Sequence, residues 1–432
     1  MPKKLVIFCD GTWNDLRMSE RTNVSRLAKC VAPRARDNVT PQIVFYDEGV
    51  GVGSNVSRVA DEAVKLVGGA FGRGLDRKIE AAYRFLVTNY EVGDDIYVFG
   101  FSRGAYTARS LCGLVRKCGI LRRDCFDLTP RALELYRNEQ HPRSAEMIEF
   151  RATFTHPVAA GPEDFEHLGI RPPEPRAKPE RFESLAELYQ YRPERTYRMM
   201  FLGVWDTVGS LGVPDRFGVL SHLTNKKYAF HDTAASSLLA SLRHAAAIDE
   251  ERRVFSSTGF DNIDPLNEAW ANHTGWDVLS PSAPRFVPYH ARPYQQMWFP
   301  GDHGAVGGGN PEPGLSSITL LWIAQGAERA GLNLVHSPGS ELAKAFRAQN
   351  PCADWRVNKD GTRRKAGKRD MLGQIGGYRP RTGPGRLEEA APTTYERWCR
   401  LPAYRPANLT VLAGLPCPPP STDPPPTGFP PD

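Results

Sequence analysis

The sequence predicts an α/β fold, a mainly parallel central sheet flanked by helices. Short apolar runs recur, three of them ending in an acid or a glycine: LVIFCD (5–10), QIVFYDEG (42–49) and YRMMFLGVWDTVG (197–209), with IYVFGF (96–101) between the second and the last. Near-continuous runs of this kind read as strands buried on both faces, the habit of parallel sheets covered by helices. The order strand, turn, helix, strand, turn, helix over residues 74–115 is the third observation, because parallel strands need crossover helices.

Taken in order, runs 5–10 and 42–49 are strands. In GLDRKIEAAYRFLVTNY (74–90), Ile79, Tyr83, Leu86 and Tyr90 fall at spacings of three and four and make one helix face. The turn EVGDD leads into strand 96–101, and a second helix runs from Ala105 to about Val115. Residues 121–195 change texture: Arg, Glu and Pro dominate, with helical fragments around RPPEPRAKPERF. They read as an insertion, a cap over the site. The sheet resumes at 197–209, and RHAAAIDEERRVF (243–255) has a helical setting. QMWFPGDHGAVGGGN (296–310) is strand-like and then glycine-rich, and LSSITLLWIAQGAERAGL (315–332) is helical. Residues 340–400 form a peripheral segment whose basic loop, RVNKDGTRRKAGKR (356–369), is by default a solvated surface and, in a lesser reading, a contact with anionic lipid head groups. Residues 1–400 are expected to make one domain. The proline-rich tail, 401–432, is expected to be extended or disordered.

The bulk numbers fit. A chain of 432 residues suffices for one large domain with insertions, and 41% hydrophobic with 24% charged residues is a globular balance. A net charge of +6 from 55 basic and 49 acidic residues is too mild for a nucleic-acid partner. Eight cysteines (Cys9, Cys30, Cys112, Cys118, Cys125, Cys352, Cys399, Cys417) are scattered without a C-x-x-C, so reduced thiols of a cytosolic-type protein are expected. The start, MPKKLVIFCDGTWND, has too short an apolar run for a signal peptide, and no stretch is long enough to span a membrane. The protein is expected to be soluble and cytoplasmic when made.

Ser102 lies in Gly100-Phe101-Ser102-Arg103-Gly104, with a strand before and a helix after. That is the setting of a nucleophile elbow, whose tight turn leaves no room for side chains beside the serine. Asp206 follows a strand, as a triad acid does in an α/β-hydrolase-like fold, and His303 follows another on a glycine-rich loop. In this order Ser102 is the nucleophile, His303 the proton shuttle and Asp206 the residue that orients it. His231, His244 and His290 are rival bases; Asp249 and Glu250 are reserve acids, read first as an ion-pair cluster with Arg252 and Arg253. The oxyanion hole is expected from the backbone N–H of Arg103 and from the loop CDGTWN, where Gly11 lets backbone approach closely and Thr12 donates from its N–H or its hydroxyl. Asp10 braces that loop or, less simply, joins Asp302 in a divalent-ion site. No cofactor is needed.

These segments resemble a family of uncharacterised α/β-hydrolase domains that includes the first class of type VI secretion lipase effectors. IFCDGTWN, YDEGVGVG, GGAFGRGLDRKIEAAYRFL, FGFSRGAYTAR, FLGVWDTVG, HAAAIDEERRVF and WFPGDHGAVGGG carry the resemblance, across about residues 5–325. It implies ester hydrolysis, of phospholipids in the studied effectors, with Ser102, Asp206 and His303 in the roles above. It also implies export without a signal peptide and a secretion or immunity partner. Where the family has His-Ser-Asp-Val-Gly-Gly, this chain has His303-Gly304-Ala305-Val306-Gly307-Gly308, so one acid is lost at Ala305 while Asp302 adds one.

Two other enzyme readings fall away. IFCDGT is similar to the first strand of haloacid dehalogenase phosphatases, but Phe8 stands where their nucleophilic aspartate would be, and no P-loop pattern occurs. A non-catalytic binding or scaffold protein on the same fold is the alternative that survives.

Overall fold

The computed structural model describes residues 2–11, 21–48, 70–138, 140–156, 198–209, 234–236, 238–274, 277–283, 286–356 and 377–417. Its centre is a sheet of β1 (Lys4–Cys9), β2 (Gln42–Asp47), β3 (Asp95–Phe101), β4 (Arg198–Trp205), β5 (Leu239–Ala247) and β6 (Tyr294–Phe299). The spatial order is β2-β1-β3-β4-β5-β6, and every neighbouring pair is parallel. Successive residues Leu5, Val6, Ile7 and Phe8 are all fully buried, and since successive side chains point to opposite faces, both faces are covered. The register aligns the strand ends: Cys9 pairs with Gly100, Phe101 with Trp205, Trp205 with Ala245, and Ala247 with Phe299. The chain winds outward in one direction from β1 and in the other from β3. Their shared end is therefore a topological switch point, where ligands of open α/β sheets bind.

Helices α1 (Asn23–Ala28), α2 (Ala70–Asn89), α3 (Arg103–Cys118), α4 (Thr129–Arg137) and α5 (Ala145–Phe154) precede β4. The predicted face of α2 is the buried one, with Ile79, Tyr83 and Leu86 all in the core. Across the sheet, Phe8 stacks on Phe99 (4.8 Å) and Phe99 meets Phe201 (5.6 Å). Beside this aromatic row, Gly203 leaves room for Ile323; a Cβ there would stand 2.7 Å from it. Later helices are α6 (Ile263–Thr274), α7 (His303–Gly307), α8 (Gly314–Arg329), α9 (Glu341–Ala348) and α10 (Pro392–Arg400). Ile323 belongs to α8, which packs against β4 and β5.

Four expectations change. Residues 239–247 form β5, not a helix, and all nine are buried. The alanines' helix preference is worth only tenths of a kcal/mol per residue, which pairing between β4 and β6 overrides. The described part of the 121–195 insertion packs at the far end of α3. Lys117 donates to the carbonyls of Tyr136 (3.3 Å) and Asn138 (2.6 Å), and Arg151 donates to the Lys117 carbonyl (2.9 Å). At 1.5 Å per residue that end lies roughly 22 Å along the helix from Ser102. Residues 121–156 thus prop the helix rather than cap the site; 157–197 lie outside the described residues.

Residues 401–417 are folded, with Leu409 and Leu412 fully buried, because these apolar anchors give the segment something to bury. Residues 418–432 lie outside the described residues, as does the basic loop beyond Arg356. Finally, Cys399 and Cys417 form a disulfide. The segment doubles back after α10 and brings their Cα atoms to 5.2 Å, within bridging range. The other six cysteines are free.

Candidate active site

Ser102 sits between β3 and α3 at φ 58°, ψ −122°. A side chain in this region costs about 1–3 kcal/mol and persists only where the surroundings enforce it. Here they do. The Ser102 N–H donates to the Trp205 carbonyl (3.1 Å), and its own carbonyl accepts from Tyr106 (3.3 Å). A Cβ on Gly100 would lie 2.6 Å from the Gly104 carbonyl carbon, and one on Gly104 would lie 2.6 Å from the Asp10 carbonyl oxygen. Both glycines are therefore required by close backbone approach.

Asp206 follows β4, fully buried and also at positive φ, 38°. His303 opens α7, whose N-cap is Asp302: its carboxylate accepts from the Ala305 N–H (2.9 Å) and from Asn310 (3.2 Å). The structure brings the three predicted side chains together. His303 Nε2 is 2.8 Å from Ser102 Oγ, and His303 Nδ1 is 2.5 Å from Asp206 Oδ2. An ionised carboxylate only accepts, so Nδ1–H donates to Asp206 and the Nε2 lone pair faces the serine hydroxyl. The imidazole lies between Phe101 and Phe255, each ring centroid 4.6 Å away, and its backbone N–H donates to Glu250 (3.2 Å).

Arg381 is the participant that sequence reasoning missed. Its guanidinium forks onto Asp206, Nη1 to Oδ1 (2.5 Å) and Nη2 to Oδ2 (2.9 Å), and the Ala247 N–H also donates to Oδ1 (2.9 Å). Burial alone would push the Asp206 carboxyl up. The Arg381 charge and the hydrogen bonds from His303 and Arg381 outweigh it and hold the group well below the usual carboxylate range. In sequence, Arg381 is one of 55 basic residues. Pro380 and Pro384 on either side hint at a fixed backbone, but nothing local ties the residue to Asp206.

The rivals have other roles. His244 is buried beside Asp206, accepting from the Thr207 N–H (3.3 Å) at Nε2 and donating from Nδ1 to Gln296 (2.9 Å). Burial, then nearby Arg109, pushes it down to about 4, so it stays neutral. His290 lies exposed on a surface turn, and His231 is outside the described residues. Asp249 and Glu250 occupy the turn after β5 rather than a helix. Asp249 accepts from the Gly301 N–H (2.6 Å) and the Tyr404 hydroxyl (2.9 Å), and burial pushes it up to about 7. Glu250 pairs with Arg252 (2.6 Å), as expected; the Arg253 N–H instead donates to the Gly377 carbonyl.

On the oxyanion side, Arg103 is the first residue of α3. The Gly11 N–H does not stand open: it donates to the Asp10 carboxylate at 2.6 Å. The neighbouring acid reaches its own chain more easily than any distant acceptor. Thr12 lies outside the described residues. Asp10 also accepts from Thr22 (2.7 Å) and Tyr46 (2.5 Å), tying the end of β1 to β2 and to the start of α1. Burial pushes its carboxyl up to about 6. Asp10 is thus a brace and Asp302 a cap. Among the described residues, no cluster of three or more His, Cys, Asp or Glu side chains could hold a metal, and no helix is long and apolar enough to cross a membrane.

An uncharacterized protein of Saccharomyces cerevisiae is 26% identical over 268 residues, covering 60% of this chain and 33% of that protein. A crystal structure of an uncharacterized protein from Pseudomonas aeruginosa aligns with 80% of this chain and 50% of its own, at 15% identity and a TM-score of 0.36. The structure of the Tle1 effector bound to the VgrG spike of the type VI secretion system aligns with 72% of this chain and 52% of its own, at 16% identity and a TM-score of 0.33. The chain thus spans between a third and about half of the length of these relatives. The family profile for the catalytic domain of Tle1-like type VI secretion phospholipase effectors matches residues 3–326, which hold Ser102, Asp206 and His303. On that match, over most of its length, the chain belongs to the Tle1-like phospholipase effector family.

Proposed function

We propose that this protein is a serine hydrolase cleaving the carboxylic esters of lipids, phospholipids foremost. The observation that carries the reading is the unbroken hydrogen-bonded relay from Ser102 through His303 to Asp206, starting at a serine held in a strained elbow. In the reaction, Ser102 Oγ attacks the ester carbonyl carbon while its proton passes to His303 Nε2. The bond to the alcohol breaks, the alcohol takes that proton, and an acyl-serine remains. Water, deprotonated by His303, then attacks the acyl carbon and frees the fatty acid and Ser102. Asp206 holds the tautomer and stabilises the imidazolium in both halves.

The Arg103 amide is the first oxyanion donor in this scheme. The second comes from the Gly11–Thr12 loop, where the Gly11 N–H must exchange the Asp10 carboxylate for the oxyanion. Membership of a phospholipase effector family supports the lipid substrate. Membership of a type VI secretion effector family supports a secretion partner and export without a signal peptide; an immunity partner in the producing cell belongs to the same reading.

Fluorophosphonate labelling followed by intact-mass measurement tests it. Wild type should gain one adduct and release fatty acid from phosphatidylglycerol vesicles, while Ser102→Ala should do neither. Equal labelling of both proteins would put the reactive nucleophile elsewhere than Ser102, and no labelling with lipid present would leave a non-catalytic scaffold as the better description.

A further inference from the structure

We infer that Arg381 is a positioning residue that fixes the Asp206 carboxylate and shares its charge, and so sets how readily His303 becomes an imidazolium. The inference deepens the serine hydrolase reading above and rests on it for its catalytic meaning. Arg381 lies outside the span that matches the family profile, residues 3–326. It reaches the site from the segment after residue 377, which is pinned alongside residues 251–253. Tyr378 bridges to Arg252, the Arg253 N–H donates to the Gly377 carbonyl (3.0 Å), and the Arg379 N–H donates to the Glu251 carbonyl (2.7 Å).

The guanidinium is almost fully buried, with 6% of its side chain exposed, and contacts more than the acid. Nη1 also donates to the Ala247 carbonyl (2.7 Å) and Nη2 to the Phe255 carbonyl (2.5 Å). Ala247 ends β5 and gives its own N–H to Asp206. Phe255 is the residue whose ring stacks on His303. One planar cation therefore sets the carboxylate, the strand end beside it and one wall of the imidazole slot.

The electrostatic consequence follows from the sign of each charge. A carboxylate facing only a histidine directs its full attraction to the imidazolium and favours protonation. A fixed cation on the same two oxygens opposes that protonation. Among the described residues, the other charged or titratable groups facing this pair are Glu250 at the His303 backbone, Arg252 on Glu250 and over the Phe255 ring, and neutral His244 behind Asp206 with Arg109 beyond it.

The test is a pH titration of the His303 imidazole by nitrogen NMR on histidine-labelled full-length protein, assigned with His303→Gln. Arg381→Met should move the His303 midpoint upward, the direction set by removing a cation from the carboxylate that faces the imidazole. Arg381→Lys keeps the charge and loses the fork. It should leave the midpoint near wild type and slow fluorophosphonate labelling about tenfold or more, because the carboxylate is no longer held at two points. A folded Arg381→Met protein with an unmoved midpoint would overturn the inference, whether or not the protein proves to be a hydrolase. Should Arg381→Met not fold, an Arg381→Lys protein that labels at the wild-type rate would overturn it. A titration shift in Arg381→Met together with wild-type protein that never labels would refute the hydrolase reading and leave the charge coupling standing.

Discussion

The strand ends of the sheet and the segment 377–417 meet at one carboxylate, yet they hold their residues by different means. At the strand ends the backbone itself does the placing. Ser102 and Asp206 are two of the three described non-glycine residues at positive φ, and each is locked by hydrogen bonds to neighbouring strands. Segment 377–417 has little regular structure beyond α10. It is held by backbone bridges to residues 251–253, by Thr394 on the Trp298 carbonyl (2.9 Å), by buried Leu409 and Leu412, and by the Cys399–Cys417 disulfide. A sheet can aim side chains with torsions encoded within a few residues. A distant segment supplies a charge whose position depends on the whole fold.

If the two regions are one energetic unit, removing one side of their shared ion pair should be the most damaging change. We expect Asp206→Ala to destabilise the protein by about 3–5 kcal/mol, because it strands the buried Arg381 charge. Adding Arg381→Met should recover much of that loss in urea denaturation. A double variant no more stable than the single one would show that the regions are independent.

Asp249 offers a second handle, since it bonds Gly301 after β6 and Tyr404 in the C-terminal segment. Its carboxyl is raised by burial from 3.8 to about 7. The folded state therefore holds a proton that the unfolded chain gives up. Its contribution to stability is full below about pH 4 and lost as pH rises toward 7, on the order of a few kcal/mol in all. Asp249→Asn removes this dependence, so the stability of the variant relative to wild type should climb across that window. Parallel curves would place the titration elsewhere.

The smallest expected effect concerns the elbow alone. Ser102→Gly relieves the positive φ and should raise stability by about 1 kcal/mol in thermal melts while abolishing labelling. No gain would mean that the strain is not borne at Ser102.

This contrast also explains what could be read from the sequence. β1, β3, β4 and β6 announce themselves as apolar runs ending at turns. The relative order of Ser102, Asp206 and His303 reports on the topology of the sheet, so the three were legible as a set. β5 was not, because LASLRHAAA is rich in residues that also suit helices and only its buried place between two strands decides. The engagement of the Gly11 amide by Asp10 depends on the packing of Thr22 and Tyr46 around that acid. Arg381 and Phe255 were illegible for a similar reason. Their roles are contacts across the fold, and no spacing rule links position 381 to position 206.

The separation between Asp206 and Arg381, 175 residues, has a consequence in time. At roughly 5–20 residues per second of synthesis, the arginine leaves the ribosome some 9–35 s after its carboxylate partner. Until then the Asp206 carboxylate is without this counter-ion. The ion pair can close only after residue 381 has emerged, later than Ser102, Asp206 and His303, so its formation is the last step in assembling the site.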